Sequence, residues 1–160
     1  MPDDRLTKRC LVTHPMPSNC PLCADAGGVL IASSPLWRVI RAEDAAFPAF
    51  YRVVWNEHVS EFSALSPTQR SICMDVVCTV EQVLISALQP TKINLAALGN
   101  VVPHLHWHVI ARFDADSHFP QPVWGAPQRE QADASRLLKI GLTELDARMK
   151  TTLRHVFQCA

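Results

Sequence analysis

His104-Leu105-His106-Trp107-His108 sets three imidazoles at positions i, i+2 and i+4 within one apolar stretch, Leu105–Phe113. In an extended strand successive side chains point to opposite faces. His104, His106 and His108 therefore share a face that Ile110 and Arg112 continue, while Leu105, Trp107 and Val109 turn the other way, toward a core. Neutral imidazole is a nucleophile that titrates near physiological pH. Three neighbouring imidazoles cannot all hold protons cheaply, because each cation depresses the pKa of the next. The pattern predicts at least one neutral ring able to attack, while another can remain protonated as an acid or electrostatic clamp. Arg112 can offer a planar fork to phosphate oxygens. On pattern alone this is a site for phosphate chemistry, with a metal site or buried structural histidines as the alternative.

The remaining chain supplies a sheet and helices to hold that strand. Val29–Ala32 and Trp37–Arg41 flank Ser33-Ser34-Pro35 as a β-hairpin, and Phe50–Trp55 is a third strand rich in β-formers. Ser66-Pro67-Thr68-Gln69 reads as a capped helix start with proline at the first helical position. Behind it Ile72, Val76, Val80, Val83, Leu84 and Leu88 recur at helical spacing up to Pro90. Ile93–Leu98 is a fourth strand, the Gly99-Asn100 turn follows, and Leu105–Phe113 is the fifth. Glu130–Phe157 reads as a C-terminal helix with Leu137, Leu138, Leu142, Leu145 and Met149 as its apolar stripe. The expected class is α+β: a five-stranded, mostly antiparallel sheet with one long packed helix, plus the C-terminal helix. Residues 1–19 read as an irregular arm, 20–128 as the domain bearing the site, and 129–160 as a helical appendage.

Composition narrows the partners. Hydrophobic residues are 48% and charged residues 19% of a 160-residue chain, so it is expected to fold as a globule. Formal net charge is zero and no Lys/Arg block stands out, which argues against duplex DNA or RNA as a partner. The first twenty residues carry no secretory-type apolar stretch, and no segment reads as the roughly 20 apolar residues needed to cross a bilayer. A cytoplasmic location without a membrane partner is the expectation. The six cysteines are then expected to be reduced, with Cys73 and Cys78 as packing residues of the long helix. Cys20-Pro21-Leu22-Cys23 has metal-knuckle spacing. Zinc needs four ligands, and His58 and His104 can complete a Cys2His2 set. Free thiols or a redox pair are the alternatives, although the preceding Val12–Asn19 is not the strand a thioredoxin-like pair would follow.

Gly99-Asn100-Val101-Val102-Pro103-His104-Leu105-His106-Trp107-His108-Val109-Ile110-Ala111-Arg112 resembles the histidine triad (HIT) signature. It most resembles the bacterial branch labelled diadenosine tetraphosphate hydrolase-like, and the similarity runs over roughly residues 20–125. That resemblance implies a nucleotide hydrolase or transferase in which His106, the middle histidine, attacks an α-phosphorus and forms a nucleotidyl-imidazole later released by water. Substrates would be dinucleoside polyphosphates or nucleoside phosphoramidates; a non-catalytic nucleotide- or zinc-binding module is the alternative. His104 and His108 would position the phosphate and assist the leaving group. Asn94 and Asn100 match places where the family sets polar side chains against ribose or phosphate. Trp124, in Pro122-Val123-Trp124-Gly125, resembles a segment near the family's active site, with pinning of the loop to the core as the other reading. No cofactor would be needed for the chemistry. Some relatives, and the related galactose-1-phosphate uridylyltransferases, carry a structural zinc on a C-x-x-C, a lone histidine and the first triad histidine; Cys20, Cys23, His58 and His104 stand in those places. The family usually dimerises through a continuous ten-stranded sheet, so a homodimer is implied.

Overall fold

The computed structural model describes residues 19–159. The arm expected over residues 1–19 lies, up to residue 18, outside the described residues. A single helical turn, α1 (Pro21–Ala24), is followed by strands β1 (Val29–Ser33), β2 (Trp37–Arg41) and β3 (Phe50–Trp55). The long helix α2 (Pro67–Leu88) crosses to β4 (Lys92–Ala96) and β5 (His106–Arg112), and α3 (Leu142–Phe157) closes the chain. The five strands form one sheet in the order β1-β2-β3-β5-β4, with every neighbouring pair antiparallel. The strand bearing the histidines is thus interior, hydrogen-bonded on both edges.

Strand alternation divides the sheet into two chemically different faces. Trp37, Val39, Tyr51, Val53, Trp55, Val109 and Ala111 point into the main core. They meet Cys73, Val76, Val77, Val80, Leu84 and Leu88 of α2. Trp107, whose outward orientation would have overturned the strand register, packs on this core with its ring edge-on to Phe62 at 5.6 Å. The opposite face carries His106, His108, Ile110 and Arg112 of β5 beside Phe50, Arg52 and Val54 of β3.

The start of α2 is capped as its sequence dictates. The Ser66 hydroxyl accepts from the Gln69 N–H at 3.2 Å, and Gln69 Oε1 accepts from the Ser66 N–H at 2.8 Å. Such a cap contributes about 1 kcal/mol. At the other end Gln89 adopts a left-handed conformation (φ 48°) before Pro90. By length and composition α2 is long and apolar enough to cross a bilayer, contrary to the reading of the sequence, yet its apolar stripe is spent on the sheet. Cys73 packs as expected, whereas Cys78 faces outward.

The C-terminal helix is shorter than expected. Asp133 caps a 3-10 turn over Ala134–Leu137 instead of a regular helix, and α3 begins only after Gly141. Asp133 bonds the Ser135 N–H and hydroxyl and so competes with helical backbone bonding. The buried stripe is Leu145, Met149 and Leu153, all fully enclosed in the main core. The segment read as an appendage therefore shares the core of the sheet. Asp146 ties it down further, accepting from Arg41 Nε at 3.0 Å and from the Tyr51 hydroxyl at 2.6 Å.

Candidate active site

β5 presents His106 and His108 side by side on the face away from α2, their ring centroids 4.8 Å apart. His106 Nδ1 lies 2.6 Å from the His104 carbonyl oxygen. A carbonyl can only accept, so Nδ1 carries the proton and, in the neutral ring, Nε2 keeps its lone pair. That is the tautomer a nitrogen nucleophile requires, fixed by the strand's own backbone.

His104 does not face this pocket. β5 pairing begins at His106, opposite Val54, and His104 sits before it in a tight bend where its N–H meets the Val102 carbonyl. Alternation nevertheless holds: Leu105 packs in the main core, and His104 keeps to the outer face, where Cys20 and Leu22 lie on Ile40 and Val54. The expectation corrected is that all three rings address one phosphate, because the His104 ring is taken by other partners. His104 is fully buried; its Nε2 donates to the Trp55 carbonyl at 2.6 Å. Its Nδ1 lies 3.4 Å from each of the Cys20 and Cys23 sulfurs and 3.2 Å from His58 Nδ1. Cys23 Sγ is in turn 3.3 Å from His58 Nδ1. The four donor atoms all lie within 4.8 Å of one another. Ligands on a tetrahedral zinc, at roughly 2.0–2.3 Å from the metal, stand about 3.3–3.8 Å apart, so the cluster has the spacing of such a site. Arg38 braces the knuckle, donating to the Leu22 and Ala26 carbonyls and to Asn56 Oδ1.

The surroundings favour the neutral form of each triad ring. Burial lowers the pKa of all three histidines. His108 falls to about 3, through burial first and then through the charges of His106 and Arg52. The positive charge at the site belongs instead to Arg52, which faces His108 directly across β3 and β5.

Arg112, expected to grip phosphate, is sealed inside the protein. Its Nε and Nη2 donate to the two Asp116 oxygens at 2.8 and 3.0 Å, Nη1 to Asn94 Oδ1 at 2.7 Å, and Nη2 to the Gln121 carbonyl at 2.8 Å. It is a brace for the loop after β5, because its fork is filled by partners that only folding assembles. That loop carries Trp124, half-exposed, to within 5.3 Å of the His108 ring. A cleft of about 590 Å³ runs along the edge strand β4, lined by Glu81, Lys92, Asn94, Leu95, Ala96 and Trp124 among others, and no triad histidine lines it. Trp124 is thus brought against His108, whereas Asn94, opposite Ile110 on the same face, has its Oδ1 taken by Arg112. Asn100 stays exposed in the bend after Gly99, with no side-chain hydrogen bond among the described residues.

Arg52, Phe50 and Asp116 escaped the sequence reading. Phe50 packs edge-on to His108 at 5.2 Å and lies under the Arg52 guanidinium at 5.2 Å. Alternation within Phe50–Trp55 could have placed Arg52 on the outer face; only the pairing of β3 with β5 sets it opposite His108.

The geometry has known counterparts. The family profile described as the HIT domain matches residues 25–115. A histidine triad protein from Bradyrhizobium japonicum is 30% identical, over 79% of this chain and 91% of that one, with a TM-score of 0.65. Another, from Sinorhizobium meliloti 1021, is 29% identical over 80% and 91%, with a TM-score of 0.64. A Zn-bound histidine triad family protein from Mycobacterium smegmatis shares the fold at 17% identity, over 88% and 96%, with a TM-score of 0.58. No curated protein matches the chain. With the profile spanning more than half its length and the histidines in their places, this chain belongs to the histidine triad (HIT) domain family.

Proposed function

We propose that the protein is a nucleotide hydrolase or transferase in which His106 Nε2 attacks an α-phosphorus. The bond from phosphorus to the leaving group breaks as the N–P bond forms, giving a nucleotidyl-histidine that water then cleaves to the nucleoside monophosphate and free imidazole. Dinucleoside polyphosphates and nucleoside phosphoramidates are the substrate classes, as in the diadenosine tetraphosphate hydrolase-like branch. The observation that carries this reading is the 2.6 Å bond from His106 Nδ1 to the His104 carbonyl. It leaves a nucleophilic nitrogen unencumbered and lets the backbone share the positive charge the ring develops on attack. His108, neutral in this setting, serves as a hydrogen-bonding partner of the phosphate rather than as its countercharge. Trp124, packed against His108, and Asn94, on the same face of the sheet, take the rest of the substrate.

Cys20, Cys23, His58 and His104 suit a structural zinc. The Trp55 carbonyl holds the proton of His104 on Nε2 and turns a bare Nδ1 toward two thiols and a second imidazole. Bound there, zinc would supply a structural anchor between α1 and the entrance of β5. The chain's own residues do the rest: His104, so held, keeps its carbonyl aimed at His106. A homodimer in the cytoplasm, formed through the free edge of β4 where Leu95 and Leu98 are exposed, completes the reading.

The test is to incubate the protein with adenosine and guanosine phosphoramidates and diadenosine polyphosphates, then seek the nucleotidyl adduct by mass spectrometry. The expected result is turnover with the adduct on His106. Turnover that survives in His106→Ala rejects the mechanism, and tight nucleotide binding with no turnover on any of these substrates favours a binding module.

A further inference from the structure

Three guanidinium groups lie on the outer face of the sheet around the histidines, and two are already engaged. Arg38 is held by the carbonyls of the cysteine knuckle. Arg112 is saturated by Asp116, Asn94 and the Gln121 carbonyl. Arg52 differs: among the described residues it makes no hydrogen bond and no ion pair, and its Nε is buried without a partner. A buried donor left unpaired costs on the order of 1–3 kcal/mol, more for a charged group, so an unpaired donor at a site calls for an acceptor.

Its surroundings tell what kind of acceptor fits. Arg52 stands directly opposite His108 in the antiparallel register, which puts the two side chains within contact range on the same face. His108 Nδ1 is likewise buried without a partner. Phe50 holds both residues, one by its face and one by its edge, so the guanidinium is oriented before any ligand arrives. The carboxylate whose charge is felt at Arg52 is Asp44, whose Oδ1 is taken by the Ala46 and Phe47 N–H groups and which makes no ion pair with Arg52. Burial lowers the Arg52 pKa, but a guanidinium keeps its proton throughout the working range. A fixed cation with an open fork beside a neutral imidazole suits an anionic oxygen, and a phosphoryl group offers oxygens spaced for that fork.

We propose that Arg52 binds the non-bridging oxygens of the substrate's phosphate and is the residue that makes this site discriminate a nucleotide from its nucleoside. The proposal deepens the nucleotide reading given above and rests on it for the identity of the ligand, though not for its anionic character. Arg52 recognises the charge; His106 supplies the attack.

The experiment is calorimetric titration of the full chain with AMP, adenosine and inorganic pyrophosphate, for wild type, Arg52→Gln and Arg52→Lys. Wild type is expected to bind AMP more tightly than adenosine. Arg52→Gln should weaken AMP about ten- to a hundredfold while leaving adenosine within about twofold, and Arg52→Lys should recover part of the difference. Arg52→Met, which keeps an apolar stem over Phe50, replaces Arg52→Gln if thermal melting shows the latter unfolded. Unchanged AMP affinity in Arg52→Gln overturns the proposal, as does an equal loss for AMP and adenosine. Should wild type bind neither AMP nor adenosine, the nucleotide reading fails by itself and pyrophosphate decides. Pyrophosphate binding lost in Arg52→Gln upholds an anion site, and binding that is absent or indifferent to the substitution removes it.

Discussion

The His106 imidazole hydrogen-bonds the backbone carbonyl of His104, two residues earlier, at 2.6 Å. The ring is thereby oriented by main chain rather than by another side chain. His106→Ala should reduce turnover by on the order of 10⁴-fold or more, as loss of a nucleophile does. It should melt within a few degrees of wild type, since a half-buried ring on the ligand face contributes little to the core. Steady-state assays with a phosphoramidate and a thermal melt check both halves; a large loss of stability would show the ring to be structural.

Arg112 and Asp116 form a forked pair with side chains 2% exposed. Breaking such a pair from one side strands a buried charge, at a cost of about 3–5 kcal/mol. Asp116→Ala is expected to lower Tm on the order of 10 °C. Because Arg112 also holds the Gln121 carbonyl, the same variant should weaken nucleotide binding through release of the Trp124 loop. Denaturant titration together with Trp fluorescence on nucleotide addition reads the two effects.

Removal of metal should be felt as stability. If Cys20, Cys23, His58 and His104 bind zinc, the purified chain will contain about one zinc per protomer, and a strong chelator will lower Tm by more than about 5 °C. Cys23→Ser should lose the metal, whereas His106→Ala should retain it. Elemental analysis of the three proteins decides the matter; full zinc occupancy in Cys23→Ser would place the ion elsewhere.

Acid should destabilise the fold in part through His108. Buried, this ring titrates at about 3, whereas in the unfolded chain it titrates near 6.5. Between those values the unfolded state carries the extra proton, so stability falls as pH drops below about 6.5 and is level above it. Burial pushes Asp116 upward, but Arg112 and the N–H groups of His118, Phe113 and Phe119 outweigh it and hold the carboxyl below its ordinary value; its contribution is lost at still lower pH. Melting curves between about pH 4 and 7 should slope less steeply for His108→Gln than for wild type. Parallel curves would show that the proton goes elsewhere, since both proteins keep the cysteine–histidine cluster.

The terminal helix should prove integral. Met149 is wholly enclosed among residues of the main core. Met149→Ala is expected to cost about 2–5 kcal/mol, and a chain ending at residue 128 to lose cooperative unfolding. A truncated chain that melts like the full one would make residues 129–160 the appendage that the sequence suggests.

What could be read along the chain was whatever depends on near neighbours. Alternation in Leu105–Phe113 identifies the strand and its two faces, and the Ser66–Gln69 box and Pro90 bound α2 to the residue. The family follows from the signature around His104–His108, and the four donors of the cysteine–histidine cluster could be named from spacing and resemblance. Each of these is set by interactions a few residues apart, or by motifs short enough to survive in one line of text.

Tertiary structure decided which partner each polar group met. The β3–β5 register turned Arg52 into the cation opposite His108, and the loop after β5 folded back to consume Arg112. On the outer face α1 and His58 claimed the His104 ring, leaving the phosphate pocket to His106 and His108. Side-chain charge and hydrogen-bonding capacity are properties of the residue, but their satisfaction depends on groups far along the chain: Asn94 for Arg112, Trp55 for His104, Asp146 for Arg41 and Tyr51. Strand pairing and loop closure bring those groups together, and neither leaves a periodic trace in the sequence.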